Sequence, residues 1–242
     1  MGNKAILLSL TMRTIFFLIF GLVIISVLEL TGATNAMKEA EKWWPYQAIL
    51  ANIASFIVLR YFLKREGKSY NSILHFKKKK FGKDILKGLL YLLISFPFAA
   101  IGLYGVAYLV FGTMQPPTNM MQAIPLGAAV IALILFPLSN ALVELPTYFG
   151  YAFPRIEKKW GSVALAIVLP ALFLSLQHGP LPIVLGGDYM TWRLLAFIPL
   201  AFVVAFLFHK TRNITPLLIA HFVMDLQMVM YVLLAALGIS LA

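Results

Sequence analysis

Four ionisable side chains fall inside long apolar runs: Glu144 in "NALVELPTYFGYAFPRI", His178 in "LSLQHGPLPI", and His221 with Asp225 in "LIAHFVMD". Such a group at the centre of a membrane helix costs on the order of 2.5 to 3.5 kcal/mol on insertion scales, so each asks for a function or a partner. Glu144 shares a helix face with Asn140 and Tyr148, one turn away on either side. Pro137 and Pro146 flank it, and a proline frees a backbone carbonyl that a neighbouring helix, a side chain or water must satisfy. Taken alone, a structural and a catalytic carboxylate fit this setting equally. Beyond His178, Gly179, Pro180 and Pro182 should break the helix, which at membrane depth is tolerated only inside protein or along a wet cavity. The i, i+4 spacing of His221 and Asp225 puts both on one helix face. It allows a metal-ligand pair, a carboxylate-oriented imidazole or a simple side-chain hydrogen bond. Together, one Glu and two His on three helices, with Asp225 a turn beyond the second His, can hold a water between a general base and its partners.

The elements that must position these groups are membrane helices. The chain of 242 residues is 61% hydrophobic and 12% charged, with a mean hydropathy of +0.88, outside the soluble range. Apolar stretches long enough for helical spans, and the lack of short alternating segments, give an all-α class. Seven segments stand out: Thr14–Leu30, Tyr46–Leu63, Ile85–Phe111, Met120–Phe153, Ser162–Leu185, Thr191–Phe208 and Ile214–Leu241. There is no cysteine, hence neither a disulfide framework nor a thiolate nucleophile. No internal repeat is visible, and the first apolar stretch reads as a retained span, not a cleaved signal. The reading is a polytopic bundle of about seven transmembrane helices in a single membrane domain over 1–242. Within it, 120–242 is a catalytic-like core, and 14–111 are N-terminal helices with a basic cytoplasmic loop at 64–87.

With a cytoplasmic N-terminus, 17 of the 20 Lys and Arg lie inside, Arg13 counted among the flanking charges, and only Lys38, Lys42 and Arg193 outside. The net charge of +11 is thereby explained by topology. The run "HFKKKKFGK", including His75, reads as a contact for anionic lipids, with Lys68–Lys83 amphipathic on the cytoplasmic surface; nucleic acid is not indicated. Glu29 and His209 read as interfacial, and Asn52 as an interhelical hydrogen-bonder. Counted from cytoplasmic helix ends at about 1.5 Å per residue, Glu144, His178 and His221 sit at roughly 15, 24 and 11 Å. They meet only if the fifth helix begins in the cytoplasm-facing loop or tilts strongly.

At these residues the sequence resembles the CPBP family of intramembrane proteases, also called Abi, which includes the CAAX prenyl endopeptidases and bacteriocin-processing proteins. The family pattern is E-E-x-x-x-R, then F-x-x-x-H, then H-x-x-x-N. The second and third blocks are "LSLQH" and "HFVMD", and the tail from Gly150 to Arg155 matches the Gly-Tyr-x-x-Pro-Arg that often follows the first block. This register puts Glu144 on the first Glu. Leu145 stands for the second Glu, Phe149 for the Arg and Leu174 for the Phe. The resemblance implies that Glu144 and His178 activate a water while His221 and Asp225 stabilise the oxyanion. Asp in place of Asn must then be protonated, or act by orienting His221. Glu144, His178 and His221 would suit three-ligand zinc, and a metal-free, Glu-activated water is equally consistent.

The leading expectation is an intramembrane endopeptidase whose helical cavity opens towards the cytoplasm and takes a membrane peptide or lipidated protein. The alternative is a catalytically impaired relative acting as a binding, immunity or scaffold protein. A proton-relay transporter ranks last, because no inverted repeat supports it.

Overall fold

The computed structural model describes residues 2–74 and 76–239, so His75 and the end of the last predicted span lie outside the described residues. Every described element is helical: α1 (Asn3–Leu30), α2 (Ala36–Lys42), α3 (Trp44–Arg65), α4 (Asn71–Leu74), α5 (Phe81–Ala100), α6 (Val106–Phe111), α7 (Leu126–Leu145), α8 (Phe153–Trp160), α9 (Val163–Leu176), α10 (Gly187–Ala196), α11 (Ile198–Thr211) and α12 (Thr215–Ala236). Two π-helical segments, Ile101–Gly105 and Pro146–Ala152, join α5 to α6 and α7 to α8 without a break. Among the described residues, six helical runs are long and apolar enough to cross a membrane, and α9 is a seventh, shorter apolar helix. The chain is an all-α, multi-pass integral membrane protein.

Several ends differ from the apolar segments. Helix α1 starts at Asn3, not Thr14, because residues 5–12 are mostly apolar, with Ser9 and Thr11 donating to Ile6 O and Leu7 O, and Arg13 is satisfied inside the bundle. Residues 120–125 are not helical; Pro125, with extended ψ, precedes the first turn of α7. At the other end the helix runs seven residues past Phe153 to Trp160, where Gly161 at φ +61° terminates it. Ser162 caps α9, accepting from Leu165 N–H at 3.2 Å. Helix α9 stops at Leu176, ahead of Gly179 and Pro180, which cannot continue it. Of the stretch read as amphipathic, α4 and a 3₁₀ turn at Lys78–Lys80 form, with Ile73 buried.

These ends remove the mismatch in depth between Glu144 and His178. Glu144 lies 17 residues before Gly161 and His178 lies 17 after it, so two antiparallel helices meeting there carry both residues to the same level. No unusual tilt is needed.

The proline before the π segment explains another contact. Pro146 has no N–H to give to the Leu142 carbonyl, and the Tyr70 hydroxyl donates to that carbonyl instead. Below this point an apolar cluster of Phe149, Phe153, Ile156, Phe208 and Ile214 fills the half of the bundle nearest the basic loop.

Candidate active site

Helix α7 presents Asn140 and Glu144 to α12, which presents His221 and Asp225. His221 Nε2 lies 3.3 Å from Glu144 Oε1 and 3.1 Å from Asp225 Oδ2. Asn140 Nδ2 donates to Asp225 Oδ2 at 3.0 Å and lies 3.2 Å from His221 Nε2. A ring nitrogen facing two carboxylates must carry the proton, so Nε2–H is the donor and the Asn140 amide serves Asp225. The i, i+4 pair thus makes a direct side-chain hydrogen bond through Nε2, the nitrogen that also faces Glu144.

Glu144 has a partner that the sequence did not suggest. Arg13, counted there as a cytoplasmic flank, is completely buried in α1, and its Nη2 donates to Glu144 Oε2 at 3.0 Å. The same guanidinium reaches Asn140 Oδ1 at 2.8 Å, Asn52 Oδ1 at 2.5 Å and Gln177 Oε1 at 2.6 Å. Asn52 also donates to Ser139 Oγ at 3.1 Å, the interhelical role expected of it. Tyr148 hydroxyl adds a second donor to Gln177 Oε1 at 3.2 Å. Leu145, Phe149 and Leu174 are all buried in the apolar cluster. The guanidinium absent from position 149 therefore has a counterpart on Glu144, supplied by the first helix.

His178 sits in the turn beyond α9. Its Nδ1 lies 2.8 Å from the Leu174 carbonyl, an acceptor only, so Nδ1 carries the proton and the lone pair is on Nε2 in the neutral ring. The ring stacks on Phe197 at 3.7 Å between centroids and 10° between planes. The turn's carbonyls are satisfied from neighbouring helices. Gln47 donates to Pro180 O at 2.7 Å, and Arg193 donates to Leu181 O at 2.9 Å through Nη2. This is the buried break that membrane depth permits. Gly179 lets α10 approach, since a Cβ there would come within 2.7 Å of Leu194 Cδ2.

A cavity of about 280 Å³ is lined by Asn140, Glu144, His178, Arg193, His221 and Asp225. Its wall is otherwise largely apolar and continues past Tyr104 and Tyr231 to Pro116 and Met121. Those residues belong to the end of the bundle that the charge count places outside, whereas the half nearest the basic loop is filled by the aromatic cluster. The cavity extends away from the basic loop, so the expected cytoplasmic opening and the expected orientation do not hold together. Among the described residues, no three His, Cys, Asp or Glu side chains are grouped so as to hold a metal ion.

The tail of the first block has a separate structural role. Arg155 grips Glu66 through Nε at 2.9 Å and Nη2 at 2.5 Å, and its guanidinium lies 3.7 Å over the Tyr151 ring. Burial pushes the Glu66 carboxyl up, but Arg155, Lys68 and Tyr151 outweigh it and hold it below the usual carboxylate range.

No curated protein and no solved structure matches the chain. Residues 125–227 match a family model described as type II CAAX prenyl endopeptidase, Rce1-like. That interval contains Asn140, Glu144, His178, His221 and Asp225 but neither Arg13 nor Asn52, and the model it matches describes the family that the short blocks of the chain resemble.

Proposed function

We propose that the chain is a membrane-embedded peptidase using Glu144 as general base on a water, with no metal in the steps. The observation carrying this reading is the division of labour on the buried Glu144 carboxylate. Arg13 takes Oε2, leaving Oε1 beside His221 in a cavity that His178 also lines. A water between Glu144 Oε1 and the His178 lone pair loses a proton to Glu144 while its oxygen adds to the substrate carbonyl carbon. The oxyanion takes over the His221 Nε2–H, which Asp225 Oδ2 and Glu144 Oε1 face in the resting site. Collapse breaks the C–N bond, and Glu144 returns the proton to the leaving nitrogen.

The apolar extension of the cavity suits a membrane peptide or lipidated protein, and the family model, described as a prenyl endopeptidase, supports that class. Anionic lipids at the basic loop and exclusion of nucleic acid belong to the same proposal. The test is mass spectrometry of a membrane-peptide library incubated with the purified protein in liposomes. Wild-type protein should yield discrete products, and Glu144→Gln or His178→Ala should slow their formation by about 10²- to 10⁴-fold. Unchanged product formation in either variant would sink the peptidase reading.

A further inference from the structure

Asp84, in the first turn of α5, is 4% exposed, and it forms no ion pair among the described residues. Its one hydrogen bond there comes from Asn213 Nδ2, which donates to Oδ1 at 2.9 Å. Asn213 is held in that orientation because its own Oδ1 accepts from Thr215 N–H at 3.2 Å. A carboxylate in a first helical turn gains about 0.3 to 1 kcal/mol from the helix dipole, less than a buried charge costs when it stays unpaired. Asp84 lines a pocket of about 220 Å³ together with Lys77, Lys80, Arg212 and Asn213. Arg212 is already committed: its Nη1 and Nη2 donate to the two Glu157 oxygens at 2.6 Å, and its Nε donates to His209 O at 3.0 Å. Lys77 and Lys80 are exposed and pair with no carboxylate among the described residues. The pocket therefore holds two available ammonium groups and one open carboxylate, too far apart to neutralise one another.

We propose that this pocket binds the headgroup of an ethanolamine phospholipid, with the phosphate on Lys77 and Lys80 and the ammonium on Asp84. A phosphate alone would answer the lysines but bring a second negative charge up to Asp84. Phosphoethanolamine answers both, because its ammonium carries three N–H donors for the carboxylate. Phosphoglycerol has no cation for Asp84, and choline has a cation without N–H. The position favours a lipid over a soluble phosphate ester. The pocket sits where the helical run Gly187–Thr211 ends, Thr215–Ala236 begins and Asn71–Phe111 enters its apolar part, which is the headgroup level of a bilayer. Beside it, exposed Phe76 and Phe81 meet edge to face at 5.5 Å between centroids. The next turn of α5 exposes Leu86, Leu89 and Leu90, so the segment has the aromatic and aliphatic surface that headgroups and acyl chains cover. Such a site needs nothing from the hydrolytic reading. It also differs from a general attraction of the basic loop for anionic lipids, which follows charge alone and selects no ammonium.

The experiment is native mass spectrometry of the purified full chain in detergent, titrated with palmitoyl-oleoyl lipids that differ only in headgroup: phosphoethanolamine, phosphocholine and phosphoglycerol. The ethanolamine lipid should bind about tenfold tighter than the choline lipid, the contrast that a charge-assisted hydrogen bond gives. Asp84→Asn should abolish that preference, and Lys77→Gln combined with Lys80→Gln should weaken binding of all three lipids. The contrast among lipids in unmutated protein, and the two exposed lysine substitutions, stand even if Asp84→Asn fails to fold. Equal affinity for the ethanolamine and choline lipids overturns the proposal, as does a preference that folded Asp84→Asn protein retains or an affinity that the double lysine variant leaves unchanged. Tighter binding of the phosphoglycerol lipid than of the ethanolamine lipid overturns it too, leaving the loop with an anionic contact alone. Soluble O-phosphoethanolamine in the same titration separates the two sources of the headgroup. If it binds as tightly as the phospholipid, the pocket belongs to a soluble phosphate ester and the lipid is overturned. Failure to cleave any peptide counts against the hydrolytic reading alone, because lipid preference is read without turnover.

Discussion

Arg13 makes the buried Glu144 affordable, and its removal should show how much. Breaking a buried ion pair from one side leaves an uncompensated charge and costs about 3 to 5 kcal/mol, whereas removing both members costs far less than the sum. Arg13→Met should therefore strongly lower the midpoint of thermal unfolding in micelles, and Arg13→Met with Glu144→Met should recover much of that loss. Additive effects would mean that the two side chains do not pair. Glu66 gives a pH signature at the surface. Because its folded-state pKa is held below the ordinary value of 4.5, its pairing with Arg155 contributes fully above that pH and fades as pH falls below it. Thermal midpoints measured from pH 7 to 3 should drop more steeply in wild type than in Glu66→Gln. Glu144, His178, His221 and Asp225 were legible because an ionisable group in an apolar run stands out. Arg13 was not, since a cation near the start of a span looks the same whether it faces lipid headgroups or lies inside the bundle. Gln177 and Arg193 were obscured for a related reason: no spacing rule links a residue to a partner on a distant helix.

At the scale of elements, the prolines were informative in kind and the segment ends were not. Pro146 announced a freed carbonyl, but only packing could reveal that Tyr70 answers it. Tyr70→Phe removes the hydroxyl that donates to Leu142 O in a part-buried bond and should cost about 0.5 to 1.5 kcal/mol. Hydrogen exchange of the amides at 142–152 should accelerate in the same variant, and unchanged protection would mean that another group satisfies the carbonyl. Apolar runs also misplace helix ends where a polar stretch continues a helix, as "RIEKKW" does in α8. That error alone produced the apparent mismatch in depth between Glu144 and His178. Conversely, the run to Leu185 overstated α9, because an apolar loop clasped by Gln47 and Arg193 reads like helix in composition.

Across the whole molecule, the family-matched segment does not complete the site by itself. Helices α1 and α3 bring Arg13 and Asn52 to it, and α3 also brings Gln47 to the His178 turn. A fragment of residues 120–242 expressed alone should be rapidly degraded by added protease, and co-expression with residues 1–111 should restore resistance. Equal resistance with and without the N-terminal piece would make those helices dispensable. There is also a matter of timing. Arg13 and Glu144 are 131 residues apart, which at about 5 to 20 residues per second separates their synthesis by about 6.5 to 26 s. For that interval the first helix carries a cation whose carboxylate has not yet been made, in a medium where it costs several kcal/mol. Until Glu144 is made, the first helix must keep the Arg13 guanidinium in water, by reaching the interface or by staying at a hydrated insertion site, and burial of Arg13 waits on the closing of the ion pair.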